Sequence, residues 1–273
     1  MNFGKAKKIL IFLFLFINIF LIFLLAGHPG RYSLQKESVL NTIEIAKRNH
    51  VTVSADILPY TYTKLDTLTL YNPLVDKKTF SQAFKGVTYE KDGTFSLPVN
   101  QSLEKMSADS VLHYLNKNGF GIYQLSHVQT VHNPVTNEKI YTYTQKYNSY
   151  IISGATILVY ANGKTLTKIK GNIYEITNKD KSDYNILSPL QIIISFSNDA
   201  SSFSKKATIK EISQSYYIPL EAKSYKNITA VPCYILRVNK NLFYYDAIQN
   251  TFLYSVTNEG VLIEDIIQAF QLI

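Results

Sequence analysis

The feature that most constrains this chain is the run from Ile9 to Ala26, ILIFLFLFINIFLIFLLA, in which Asn18 is the one polar side chain. As a helix at 1.5 Å per residue its 18 residues reach roughly 27 Å, about one hydrocarbon core, and the run predicts a single transmembrane helix. A cleaved signal peptide fits less well. Its apolar stretch is shorter and ends in a small-x-small site, whereas Leu24 and Leu25 precede Ala26 and Gly27 here. Lipidation is excluded at this point because His28 stands where a cysteine is needed. Lys5, Lys7 and Lys8 precede the run without an acidic residue, which by the positive-inside rule predicts a cytoplasmic amino terminus, a cell-membrane location and an extracellular remainder. Within the span, the amide of Asn18 is costly in hydrocarbon. One reading is a tolerated polar residue in a lone anchor. The other is a face of Ile11, Phe14, Leu15, Asn18, Leu21, Ile22 and Leu25 that docks on a partner's membrane helix.

Beyond the span the pattern predicts a juxtamembrane helix over 34–47 with Ser33 as N-cap, a short strand at 51–53, and extended structure over 61–71. Asp92-Gly93 is a hairpin turn signal. Ser107 is placed to cap a helix over 108–118, stopped by Gly119, and strands follow at 123–131, 140–147, 154–160 and 166–174. Ser188-Pro189 opens a second helix, with proline at its first position, and strands follow at 207–218, 229–238, 242–247 and 251–256. The expected fold class is therefore α+β: one amino-terminal transmembrane helix, then an ectodomain of two tandem units, each a helix on an antiparallel sheet. The expected divisions are a cytoplasmic tail over 1–8, the span over 9–26, a juxtamembrane helix and extended segment over 27–79, a first unit over 80–180 and a second over 181–273.

The rest of the composition limits the chemistry. With 46% hydrophobic and 18% charged residues the chain has the inventory for a core, and one cysteine excludes an internal disulfide or a multi-cysteine metal centre. A net charge of +8 without a basic stripe argues against nucleic acid. His28, His50, His113, His127 and His132 form no recognised ligand motif, and His127 and His132 would face opposite sides of an extended strand ending at Asn133-Pro134. Zinc-hydrolase, serine-hydrolase and P-loop signatures are missing from the sequence. Glu264 with Asp265, and Glu211 with Glu221, read as solvated charge; glycosidase chemistry would need two carboxylates facing across a cleft. Cys233 follows Pro232 within a strand and reads as a small buried hydrophobe. No catalytic residue, metal or cofactor is expected. The 21 tyrosines are open to two readings, cross-strand packing or interface. Tyr216-Tyr217 and Tyr244-Tyr245 are adjacent pairs on strands, so one member of each must point away from the core and offer itself to a partner.

The strand–turn–strand text over 234–253, with its Tyr-x-Asp-Ala turn at Tyr244-Tyr245-Asp246-Ala247, looks like the ending of PepSY-type modules. The whole layout is more specific: a lysine-rich tail, one apolar span, a helix ending at Asn49-His50-Val51, the Leu58-Pro59 break and two helix-plus-sheet units. In this it resembles the YycH/YycI family of membrane-anchored regulators of the YycG (WalK) sensor histidine kinase. The resemblance implies a YycI-like, non-enzymatic protein that associates with a YycH-like sister protein and a YycG-like kinase, through membrane helices, and tunes two-component control of cell-wall metabolism. The alternative is a PepSY-like extracellular inhibitor, chaperone or ligand-binding module for a wall-associated hydrolase.

Overall fold

The computed structural model describes residues 7, 11–19, 31–59, 61–91, 93–133, 137–180, 185–219, 222, 225–257, 262–264 and 266–271. The helices are residues 11–19 (α1), α2 (Lys36–Arg48), α3 (Lys77–Ala83), α4 (Ala108–Leu115), α5 (Pro189–Ser202) and α6 (Ile266–Gln271). The strands begin with β1 (Arg31–Ser33), β2 (Val51–Val53), β3 (Thr61–Thr63), β4 (Thr67–Tyr71), β5 (Thr88–Tyr89) and β6 (Phe95–Ser102). They continue as β7 (Leu125–Asn133), β8 (Glu138–Tyr147), β9 (Tyr150–Asn162), β10 (Thr165–Gly171) and β11 (Glu175–Asp180). The last five are β12 (Ala207–Tyr217), β13 (Asn227–Val238), β14 (Asn241–Asp246), β15 (Phe252–Val256) and β16 (Leu262–Ile263).

Local chemistry explains the helix starts. Ser107 Oγ accepts from Ser110 N at 3.2 Å, as the sequence predicts. Ser188 and Gln191 form a complete capping box with Pro189 at the first position, so the orphan amides of α5 are satisfied reciprocally. The expected cap at Ser33 is not made: α2 begins three residues later, after Gln35, which caps with no side-chain bond.

The expected fold class is corrected on two counts. First, strand outweighs helix among the described residues, and fourteen strands join into one curled sheet instead of two tandem antiparallel units. The reason is long-range pairing that local periodicity does not reveal. β4 pairs with both β11 and β13, β2 runs parallel to β12, and β9 is bordered by β8, β10 and, in parallel at Ile152 and Ser153, β12. At β10, Gly171 lies so close to β9 that a Cβ would run into the Thr156 carbonyl, which only glycine permits.

Second, among the described residues no helix is long and apolar enough to cross a membrane. The single-pass anchor, and the cell-membrane location and orientation that depended on it, are therefore not supported.

Helices cover one face of the curl and divide the core into two clusters. α2, α5 and α6 pack Ala46, Ile193, Phe196 and Phe270 against Tyr234, Leu236 and Phe243. α3 and α4 pack Phe80, Val111 and Leu115 against Phe95, Tyr143 and Ile157 of the other half. The chain passes between the clusters at Ile173 and Tyr174, where the buried Gln145 side chain donates to Tyr174 O at 2.6 Å and accepts from Tyr174 N at 3.1 Å.

Candidate functional site

An antiparallel sheet with helices on one side ordinarily presents polar side chains on the other. This sheet does so only in part. Along β13, Tyr234 and Leu236 enter the helix-covered core, while Cys233 and Ile235 point the opposite way into a separate cluster with Tyr217, Leu242, Tyr244 and Tyr254. Among the described residues that cluster contains no helical one. Because the sheet curls, this second face turns toward Thr142, Thr144 and Ser153 of β8 and β9, and a trough of about 400 Å³ lies between them.

The Tyr244 and Tyr254 rings stack at 4.2 Å between centroids and 18° between planes, and line the trough. Both are only 8% exposed. Burial pushes both phenols above their ordinary range, offset in part by hydrogen bonding to Ser153. Cys233 lies fully buried beside them, and burial pushes its thiol up, with a Ser215 hydrogen bond opposing the shift. The lining also includes the Glu211–Arg237 ion pair, with Arg237 Nε donating to Glu211 Oε2 at 3.0 Å. Neutral phenols, a protonated thiol and a mutually compensated ion pair make a surface suited to binding, with no activated nucleophile beside a base.

The structure separates the four tyrosines singled out from sequence. Tyr216 and Tyr245 are 1% and 0% exposed in the main core, so neither is placed to touch a partner. Tyr216 sits edge-on to Tyr147 and Tyr150, and the Tyr245 hydroxyl donates to Asp199 Oδ2 of α5 at 2.7 Å. Tyr217 and Tyr244 occupy the second face.

Of the membrane-face residues, Ile11, Phe14 and Leu15 are exposed on α1, while Leu21, Ile22 and Leu25 lie outside the described residues. The Asn18 amide donates to Phe14 O, four residues back, at 2.8 Å, so one of its two N–H donors is engaged within its own helix.

The histidine expectation changes as well. A register shift between His127 and Gln129 brings His127, opposite Tyr143, and His132, opposite Lys139, to the same face of β7. Four residue steps at about 3.3 Å still hold them roughly 13 Å apart, beyond shared ligation. His127 instead bonds Thr130 Oγ1 at 2.9 Å and packs edge-on to Tyr143. Among the described residues no group of three histidine, cysteine or acidic side chains is placed to hold a metal ion. Glu211 is engaged by Arg237, whereas Glu221 and Asp265 lie outside the described residues.

Sequence reasoning missed Ile235, Leu242, Tyr254 and the Glu211–Arg237 pair as parts of one site. A signal was present. Leu242 to Tyr245 is an unbroken apolar run within an antiparallel strand, which marks a strand with apolar surroundings on both faces.

No family model matches the sequence, and no curated protein matches it. Among solved structures the chain is similar to an uncharacterized protein from Eubacterium rectale ATCC 33656, at 10% identity and a TM-score of 0.46, covering 81% of this chain and 99% of that one. A likeness at that level carries no functional argument.

Proposed function

We propose that the protein is a non-catalytic regulatory subunit of the YycI kind. In this reading it associates with a YycH-like sister protein and a YycG-like sensor histidine kinase, and modulates two-component control of cell-wall metabolism. The observation that supports the reading is the second face of the curled sheet, where an apolar cluster with no helical residue among the described ones carries the half-buried Tyr217. Aromatic side chains that keep part of their surface open, as Tyr217 does, are enriched in recognition surfaces.

The test is titration of the full chain against a YycH-like protein and a YycG-like kinase, with kinase autophosphorylation as the functional readout. Association with a change in autophosphorylation is expected, and Tyr217→Ser should weaken it at least tenfold while the thermal unfolding transition stays cooperative. Absence of association with either protein refutes the reading. Inhibition of a wall hydrolase by the same chain, without an effect on the kinase, replaces it with the PepSY-like alternative.

A further inference from the structure

The trough is shaped for something smaller than a protein. Its volume of about 400 Å³ falls within the ~300–1,000 Å³ range of small-molecule sites. The walls set the chemistry of the occupant. Ile218, Ile235, Leu242 and the Tyr244 and Tyr254 rings offer hydrocarbon on one side. On the other, the hydroxyls of Thr142 and Thr156 have no side-chain partner among the described residues, and each is able to donate or accept. Thr144 is already committed, donating to Ala155 O at 3.2 Å.

The charges select further. Glu211 and Arg237 pair at 3.0 Å with 58% and 49% of their side chains exposed, so the lining carries two charges that cancel. An anionic head group placed there is repelled by Glu211 and must share Arg237 with it, so the pair gives it little net attraction. A hydroxyl or carbonyl head meets neither penalty.

We infer that the trough between β8–β9 and β12–β15 is a binding site for an uncharged amphipathic small molecule, a hydrocarbon body with a hydroxyl or carbonyl head, of the size of a medium-chain or short isoprenoid alcohol. This stands independently of the identity of the protein partners. The experiment uses the full chain with the neutral fluorophore N-phenyl-1-naphthylamine, displaced in turn by decanol and by decanoate at pH 7.5.

Decanol should displace the probe at a concentration at least tenfold lower than decanoate. Ile235→Arg, which projects a charge into the trough, should remove the decanol-sensitive component and leave any probe held by the exposed apolar residues of α1. Glu211→Gln frees Arg237 on a half-exposed surface without touching the apolar core, and it should narrow or reverse the preference for decanol. Failure of decanol to displace the probe overturns the inference. So does displacement that Ile235→Arg leaves unchanged, or an alcohol-to-carboxylate ratio that Glu211→Gln leaves unchanged.

Discussion

Gln145 provides the sharpest test of how the two core clusters are joined. Its side chain is 1% exposed and acts as a surrogate strand, pairing with both the N–H and the C=O of Tyr174 where the chain crosses from one cluster to the other. Gln145→Leu keeps the approximate volume and leaves two buried backbone groups unpaired, each at about 1–3 kcal/mol, so the expected loss is about 2–6 kcal/mol. For a chain of this size that corresponds to a drop in Tm of roughly 4–24 °C at about 2–4 °C per kcal/mol. Gln145→Glu separates hydrogen bonding from packing. A protonated carboxyl is able to donate to Tyr174 O and accept from Tyr174 N, restoring both bonds, whereas the carboxylate has no donor and is buried. Its folded pKa should therefore lie above the unfolded value of about 4.3. The sign follows from linkage: the bonds stabilise the variant fully below about pH 4.3 and are lost as pH rises through the folded pKa. Urea unfolding of wild type and both variants at pH 4.5 and pH 8 measures this. The glutamate variant should approach wild type at the lower pH and the leucine variant at the higher. A leucine penalty under about 1 kcal/mol, or a glutamate penalty independent of pH, would refute the role assigned to this side chain.

Tyr245→Phe should cost about 1.5 kcal/mol, at the lower end for a hydrogen bond to a charged group because Asp199 is half-buried. Burial raises the Asp199 carboxyl and the Tyr245 hydroxyl opposes the rise, so the penalty should grow as pH increases through the Asp199 titration; a penalty that shrinks instead contradicts the assignment. Cys233 should resist a thiol-disulfide reagent at pH 8, with labelling paced by unfolding, because burial holds the thiol protonated; fast labelling of the native protein would place the side chain elsewhere.

Much of the local structure was legible in the residues. Ser107 and Ser188 start helices because their hydroxyls accept from the amides three residues on, and Pro189 fits a first helical position that needs no N–H. The alternation of Tyr216-Tyr217 and Tyr244-Tyr245 to opposite faces follows from the period of a strand. Which faces are covered was not legible. Sequence reading sent the apolar run at 9–26 across a membrane on length and hydropathy alone, whereas among the described residues no helix is long and apolar enough to cross one. It also read two tandem sheets, since nothing local to 51–53 or 67–71 tells that these residues pair with strands more than 140 residues later.

The trough shows the same division in one place. Sequence alone determined that Leu242 to Tyr245 is apolar without interruption and that Glu211 and Arg237 lie on strands. Tertiary structure decided that the face they share carries no helix among the described residues and curls toward Thr142 and Ser153. Hydrophobic pattern is a property of a few neighbouring residues, while the curl is set by pairing between β9 and β12, two segments brought together only when the whole chain closes its sheet.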